Sequence, residues 1–208
     1  MNSQKFRNHP GGIKAVVAYV NVALLIGIIG SILLVIVSLI AMFDENVSLM
    51  VTSNVSSIND IANANFSLKY VKTTGLLNFI PRNVVEWLFL PRYQDFDVYL
   101  NLISLLITWQ LYRVFKEINI DSPFYEGILK RITLIYRLIF FGFVFSIVRH
   151  AYLVFVIRDV SAGAYNLSAT SFLSSSGYFS FGTWVIVYLF THVYKNGVLL
   201  QQERELTI

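Results

Sequence analysis

The chain alternates between four long apolar stretches and shorter polar segments. A helix that crosses a bilayer needs roughly 20 mainly apolar residues. We therefore predict spans at about 15–43, 96–115, 132–157 and 177–194. The first span is longer than a bilayer requires, which indicates tilt. The pattern predicts one all-α integral membrane domain over residues 1–208, built as a four-transmembrane-helix bundle.

Composition supports this interpretation. Hydrophobic residues make up 56% of the chain and charged residues only 13%, whereas a soluble domain is about 25% charged. A soluble protein of this composition would expose large apolar patches and aggregate. The chain has no cysteine, which excludes disulfides and thiolate metal sites.

The positions of lysine and arginine predict the orientation. Positive residues concentrate in cytoplasmic segments close to the ends of spans. They occur before the first span, between the second and third spans, and after the fourth span: Lys5, Arg7, Lys14, Arg113, Lys116, Lys130, Arg131, Lys195 and Arg204. Both termini are therefore expected in the cytoplasm. Residues 195–208 form a cytoplasmic tail, and residues 44–95 form a long extracytoplasmic loop.

The long first loop contains two patterns of its own. Val47, Leu49 and Val51 alternate with polar residues, a pattern typical of a strand. Residues 83–90 form an apolar segment between two prolines, which we interpret as a short interfacial helix with Trp87 at headgroup level.

Polar residues within the predicted spans define a candidate intramembrane link. Asn101 and Ser104 begin a polar stripe on one face of the second span, and Asp97 lies one turn before Asn101. The third span contains Arg149, and a buried guanidinium requires a carboxylate or amide partner. One hypothesis is that Arg149 binds Asp97 or Asn101 and couples the outer loop to the bundle. Ordinary polar packing between helices is the alternative.

No motif for catalysis is present. The chain lacks a nucleophile elbow, a phosphate-binding glycine loop and paired metal-binding histidines. His150 has no second ligand at suitable spacing. We expect no catalytic site, metal or cofactor. The basic residues are scattered along the chain, so we expect no direct binding of nucleic acid.

Two cytoplasmic stretches are more specific. The first, DSPFYEGILKRITLIYRL, begins at Asp121; Asp121 or Ser122 is predicted to cap a helix that has Pro123 in its first turn. The second, YKNGVLLQQERELTI, begins at Tyr194 and is predicted to continue the fourth helix.

Together these stretches resemble an uncharacterised bacterial membrane-protein family, domain of unknown function 2975. Its members have four spans and an N-P-F or S-P-F helix start before the third span. They end in the pattern G-x-x-L-x-x-E-x-[DE]-L-T-[IV]. The matching residues here are Ser122, Pro123, Phe124, Gly197, Leu200, Glu203, Glu205, Leu206, Thr207 and Ile208. The resemblance implies a multi-pass protein of the bacterial cytoplasmic (inner) membrane.

Members of that family are commonly encoded beside a small Xre-type helix-turn-helix regulator. The resemblance therefore implies a non-enzymatic, regulatory membrane protein that binds or sequesters such a regulator. Its candidate binding residues are Ser122, Pro123, Phe124, Gly197, Leu200, Glu203, Glu205, Leu206 and Thr207. Alternatively, the tail folds back onto residues 122–131 and only closes the bundle. A subunit of a small-solute transporter or channel, an accessory membrane protein, and a homo-oligomer stay open as alternatives.

Overall fold

The computed structural model describes residues 10–44, 46–53, 66–68, 74–91, 97–118, 124–167 and 179–206. Most of the described chain is helical, with short strands between the helices. The elements in chain order are α1 (Pro10–Ala41), β1 (Val47–Ser53), β2 (Phe66–Leu68), β3 (Thr74–Phe79), α2 (Val84–Phe89), α3 (Val98–Glu117), α4 (Glu126–Val160), β4 (Tyr165–Leu167) and α5 (Phe181–Leu206).

The four long helices pack in series. Helix α1 packs on α3, α3 on α4, and α4 on α5. In the described part of the chain, α1 and α5 share no comparable interface, so they form the two edges of the series. Isoleucines spaced three and four residues apart on α4 form the core against α3. The buried members of this cluster are Val114, Ile128, Ile132, Ile135 and Ile139.

Within the part of the chain that the structure describes, three helices are long and apolar enough to cross a membrane: Ala15–Ala41 within α1, Val98–Glu117 and Glu126–Val160. Only 17% of the span in α1 is buried by protein, and so much exposed apolar surface is stable only against lipid. The fourth predicted span lies in α5. Its apolar part runs from Phe181 to Tyr194 and then meets Lys195, which is shorter than the roughly 20 residues of a full crossing. The fourth crossing therefore stays a prediction.

The all-α prediction needs correction because the connections fold into a sheet. The strand order is β2-β3-β1-β4, and β1 runs antiparallel to both β3 and β4. The side chains of Val47, Leu49 and Val51 are buried, so the alternating pattern indicates a strand, as expected. The sequence missed β4 because it pairs with β1 across more than a hundred residues, with Val51 opposite Leu167.

The sheet is joined to the bundle through α4. We call β1–β4 together with α2 the sheet cap. Its core includes Leu77 and Phe79, and it is completed by Leu153, Val156 and Ile157 from the last turns of α4. The sheet cap therefore shares its hydrophobic core with a bundle helix.

Helix α2 also contacts the bundle. Asn83 caps its N-terminus, as expected for a short helix in this segment. The ring of Phe89 stacks on Tyr99 of α3 at 6.1 Å between centroids and contacts Phe145 of α4. This aromatic contact holds α2 against the first turn of α3 and the middle of α4.

Candidate functional site

The side chains of Asp97 and Arg149 form an ion pair inside the bundle. Asp97 precedes α3, where Oδ1 accepts hydrogen bonds from the backbone N–H groups of Tyr99 at 3.0 Å and Leu100 at 3.3 Å. Its other oxygen, Oδ2, faces Arg149 of α4. The two side chains are 8% and 4% exposed. One carboxylate therefore caps a helix and also neutralises a buried cation.

Asn101 has a different partner from the one predicted. Its Nδ2 donates to Ser38 Oγ on α1 at 2.8 Å, and Ser38 is buried. The carbonyl of Ser104 accepts from Thr108 Oγ1 at 2.9 Å within α3. The structure brings Asp97 and Arg149 together, whereas it uses Asn101 to join α1 to α3.

The pair lies between the bundle and the sheet cap. Arg149 is one turn before Leu153, which belongs to the core of the cap. Separation of the two side chains would leave an uncompensated buried charge. The ion pair therefore opposes sliding of α4 along α3. The arrangement can therefore transmit a displacement of α4 to α3.

A second contact brings together the two stretches that carry the family resemblance. The ring of Phe124 packs directly on Gly197 of α5, where a Cβ would lie 2.4 Å from ring atom Cε1. Phe124 also contacts the Tyr194 ring at 5.4 Å between centroids. The Tyr125 N–H donates to the Tyr194 hydroxyl at 3.1 Å. A side chain at position 197 would require the Phe124 ring to move.

The structure does not bring the other predicted binding residues into this contact. Leu200 and Leu206 are exposed on α5, at 67% and 88%, and Glu203 is exposed beside them. Ser122, Pro123 and Thr207 lie outside the described residues, as does the Glu205 side chain. The N-cap of α4 is Tyr125, without a side-chain hydrogen bond. The cap predicted at Asp121 or Ser122 is therefore wrong, because α4 begins at Glu126.

The sequence reasoning missed an ion network in the sheet cap. Arg82 Nη1 lies 2.6 Å from Asp159 Oδ2 on α4, and Nη2 lies 3.0 Å from Glu86 Oε1 on α2. Hydrogen bonds to Asp159 and then to Glu86 raise the pKa of Arg82 above its ordinary value. Glu86 is buried and also accepts the backbone N–H of Arg82 at 2.7 Å.

The sequence contains a pattern that could have indicated this network. Asn83 followed by Glu86 is the spacing of a capping box, and the Glu86 N–H donates to Asn83 Oδ1 at 2.8 Å. Over the ranges that the structure describes, no group of three His, Asp or Glu side chains is placed to bind a metal ion.

No family model matches the chain, and no curated protein or solved structure is similar to it.

Proposed function

We propose that this protein is a non-enzymatic, regulatory membrane protein with four crossings and both termini in the cytoplasm. The sheet cap would then lie outside the membrane, and the end of α5 inside. Support for the fourth crossing comes from the packing of α5 along α4 and from the lysines and arginines at the same end of the bundle. The host membrane is proposed to be the bacterial inner membrane.

The observation that carries the regulatory proposal is the continuity of α4. This helix runs unbroken from Glu126 to Val160. Its start follows Phe124, which packs on Gly197, and its end contributes Val156 and Ile157 to the core of the sheet cap. A movement of the sheet cap can therefore shift α4 as one rigid helix and displace Phe124 relative to α5.

We propose that the partner is a small cytoplasmic helix-turn-helix regulator, as the resemblance to domain of unknown function 2975 implies. The contact between Phe124 and Gly197 joins the two stretches on which the resemblance rests. Leu200 and Leu206 supply exposed apolar surface beside Glu203.

The transporter or channel alternative has less support. It requires Asn101 and Arg149 to line a polar path, but Asn101 is bonded to Ser38 and Arg149 is paired with Asp97. The accessory-protein alternative and the homo-oligomer remain outcomes of the following test.

The test is affinity purification of the full chain from native membranes in mild detergent, read by mass spectrometry and by transcription of the regulator's targets. We expect a small DNA-binding protein to co-purify with wild type and to be lost from L200E and from a chain lacking residues 203–208. Gln202 is an exposed neighbour on another face of α5, so Q202E introduces the same charge as a control and is expected to retain the partner. Retention by L200E and by the truncated chain would overturn the proposal, as would a preparation containing only membrane proteins or only this chain.

A further inference from the structure

A large apolar groove lies among the four long helices. It encloses about 750 Å³ and is lined by α1, α3, α4, α5 and Phe179. It opens sideways, because α1 and α5 are the unjoined edges of the helix series. A space of this size is far larger than the voids left in a packed protein interior, and its open side admits a ligand.

The walls of the groove select an apolar occupant. Three of its few hydroxyls already have partners on their own helix or just before it. Ser31 Oγ donates to the Gly27 carbonyl at 2.8 Å, and Thr108 Oγ1 donates to the Ser104 carbonyl at 2.9 Å. Thr183 Oγ1 shares a hydrogen bond of 2.9 Å with Ser180 Oγ. The remaining lining is mainly aliphatic and aromatic, and cavities of that kind do not hold water.

The groove is long enough to hold an acyl chain of one bilayer leaflet. Along α3 its lining runs from Ser104 to Ile118, roughly 21 Å of helix at 1.5 Å per residue. One leaflet contributes about 15 Å, half of the 30 Å hydrocarbon core. The groove reaches the end of the bundle near Ile118 and Tyr194, which is the cytoplasmic end in the proposed topology.

The other end of the groove stops at Phe179. This ring packs on Gly142, where a Cβ would lie 2.4 Å from Cδ1, and it forms a buried cluster with Leu100 and Ile103. Among the described residues, the Phe179 ring and these neighbours therefore form this end of the groove.

We propose that this groove binds one acyl chain of a bilayer phospholipid, which enters between α1 and α5 and extends from the end of the bundle to Phe179. A slender, flexible hydrocarbon chain fits the end formed by Phe179, the length of the groove and its apolar walls. The phospholipid is the source that reaches a lateral opening directly from the bilayer. This proposal is independent of the regulatory function, so either can fail alone.

Electron paramagnetic resonance tests the proposal on full-length protein in phosphatidylcholine vesicles that contain acyl-spin-labelled phosphatidylcholine. Val187 lines the groove, whereas Val193 on the same helix is 68% exposed and does not. We expect V187W to lose about one motionally restricted chain per protein relative to wild type, and V193W to lose none. Circular dichroism checks that both variants are folded.

A second pair repeats the test from the other wall, in case V187W fails to fold. Ser31 of α1 lines the groove and Ala23 of α1 is exposed outside it. S31L is expected to lose the restricted chain, and A23L to retain it. An equal restricted fraction in wild type, the folded groove variants and the controls would overturn the proposal. Restriction of spin-labelled stearic acid without restriction of the phospholipid would overturn it as well.

Discussion

The carboxylate of Asp97 holds the guanidinium of Arg149 in the bundle while it caps the first turn of α3. The two residues lie on neighbouring helices and are both buried. Because one oxygen serves the cap and the other the cation, the charge and the cap can be separated by substitution. The pair lies below the sheet cap and fixes how α3 and α4 are aligned along their lengths.

Removal of one charge should cost more than removal of both. We expect R149M to destabilise the protein by about 3–5 kcal/mol, since it leaves the buried Asp97 carboxylate without its partner. The double variant D97N/R149M should recover most of that loss, because asparagine still accepts the helix-capping hydrogen bonds. Denaturant or detergent titration of tryptophan fluorescence measures both values. Strictly additive effects of D97N and R149M would contradict the coupling.

The contact between Phe124 and Gly197 gives a prediction with a control on the same helix. Relative to G182A, G197A should destabilise the end of α5 by about 1 kcal/mol, because the new methyl group forces the partly exposed Phe124 ring to move. A Cβ at Gly182 would meet only Ser180 Oγ, at 3.9 Å, so G182A should cost nothing measurable. Thermal unfolding in detergent compares the two variants.

A smaller ring should relieve that overpacking. F124L/G197A is expected to be more stable than G197A alone. If G197A and G182A unfold at the same temperature, the ring does not occupy the position that we describe.

The buried carboxylate of Glu86 is predicted to stabilise the sheet cap. E86Q removes the charge that binds Arg82 and weakens hydrogen bonds of a buried group, and we expect a loss of about 1–3 kcal/mol. Amide hydrogen exchange of β1 and α2 should accelerate by about five- to 150-fold, the equivalent of that loss. Glu126 forms an exposed pair with Lys130 at 3.0 Å, and such pairs contribute little. E126Q therefore serves as the control, and equal exchange in both variants would contradict a special role for Glu86.

How far the sequence predicts this structure depends on how far apart along the chain the interacting residues are. Arg149 and Asp97 could be paired in advance, because a cation at that depth needs a carboxylate on the neighbouring helix. Local alternation predicts the strand at Val47–Ser53. The spacing of Glu86 from Asn83 could have indicated the network around Glu86, which the sequence analysis missed. Two contacts depend on where distant segments of the chain meet: the pairing of β1 with β4 and the packing of Phe124 on Gly197. No local sequence pattern predicts such contacts.

The fourth crossing gives the last prediction, and the absence of cysteine in the natural chain makes it directly testable. Single cysteines at Ile80, Lys116 and Leu200, all exposed, report the sides of the membrane. In intact cells a membrane-impermeant maleimide should label I80C alone, and permeabilised cells should also expose K116C and L200C. The cysteine-free wild type is the control. If α5 does not cross, the end of α5 lies on the side of the sheet cap, so L200C would be labelled together with I80C. That result would also remove the cytoplasmic docking surface on which the regulatory proposal depends.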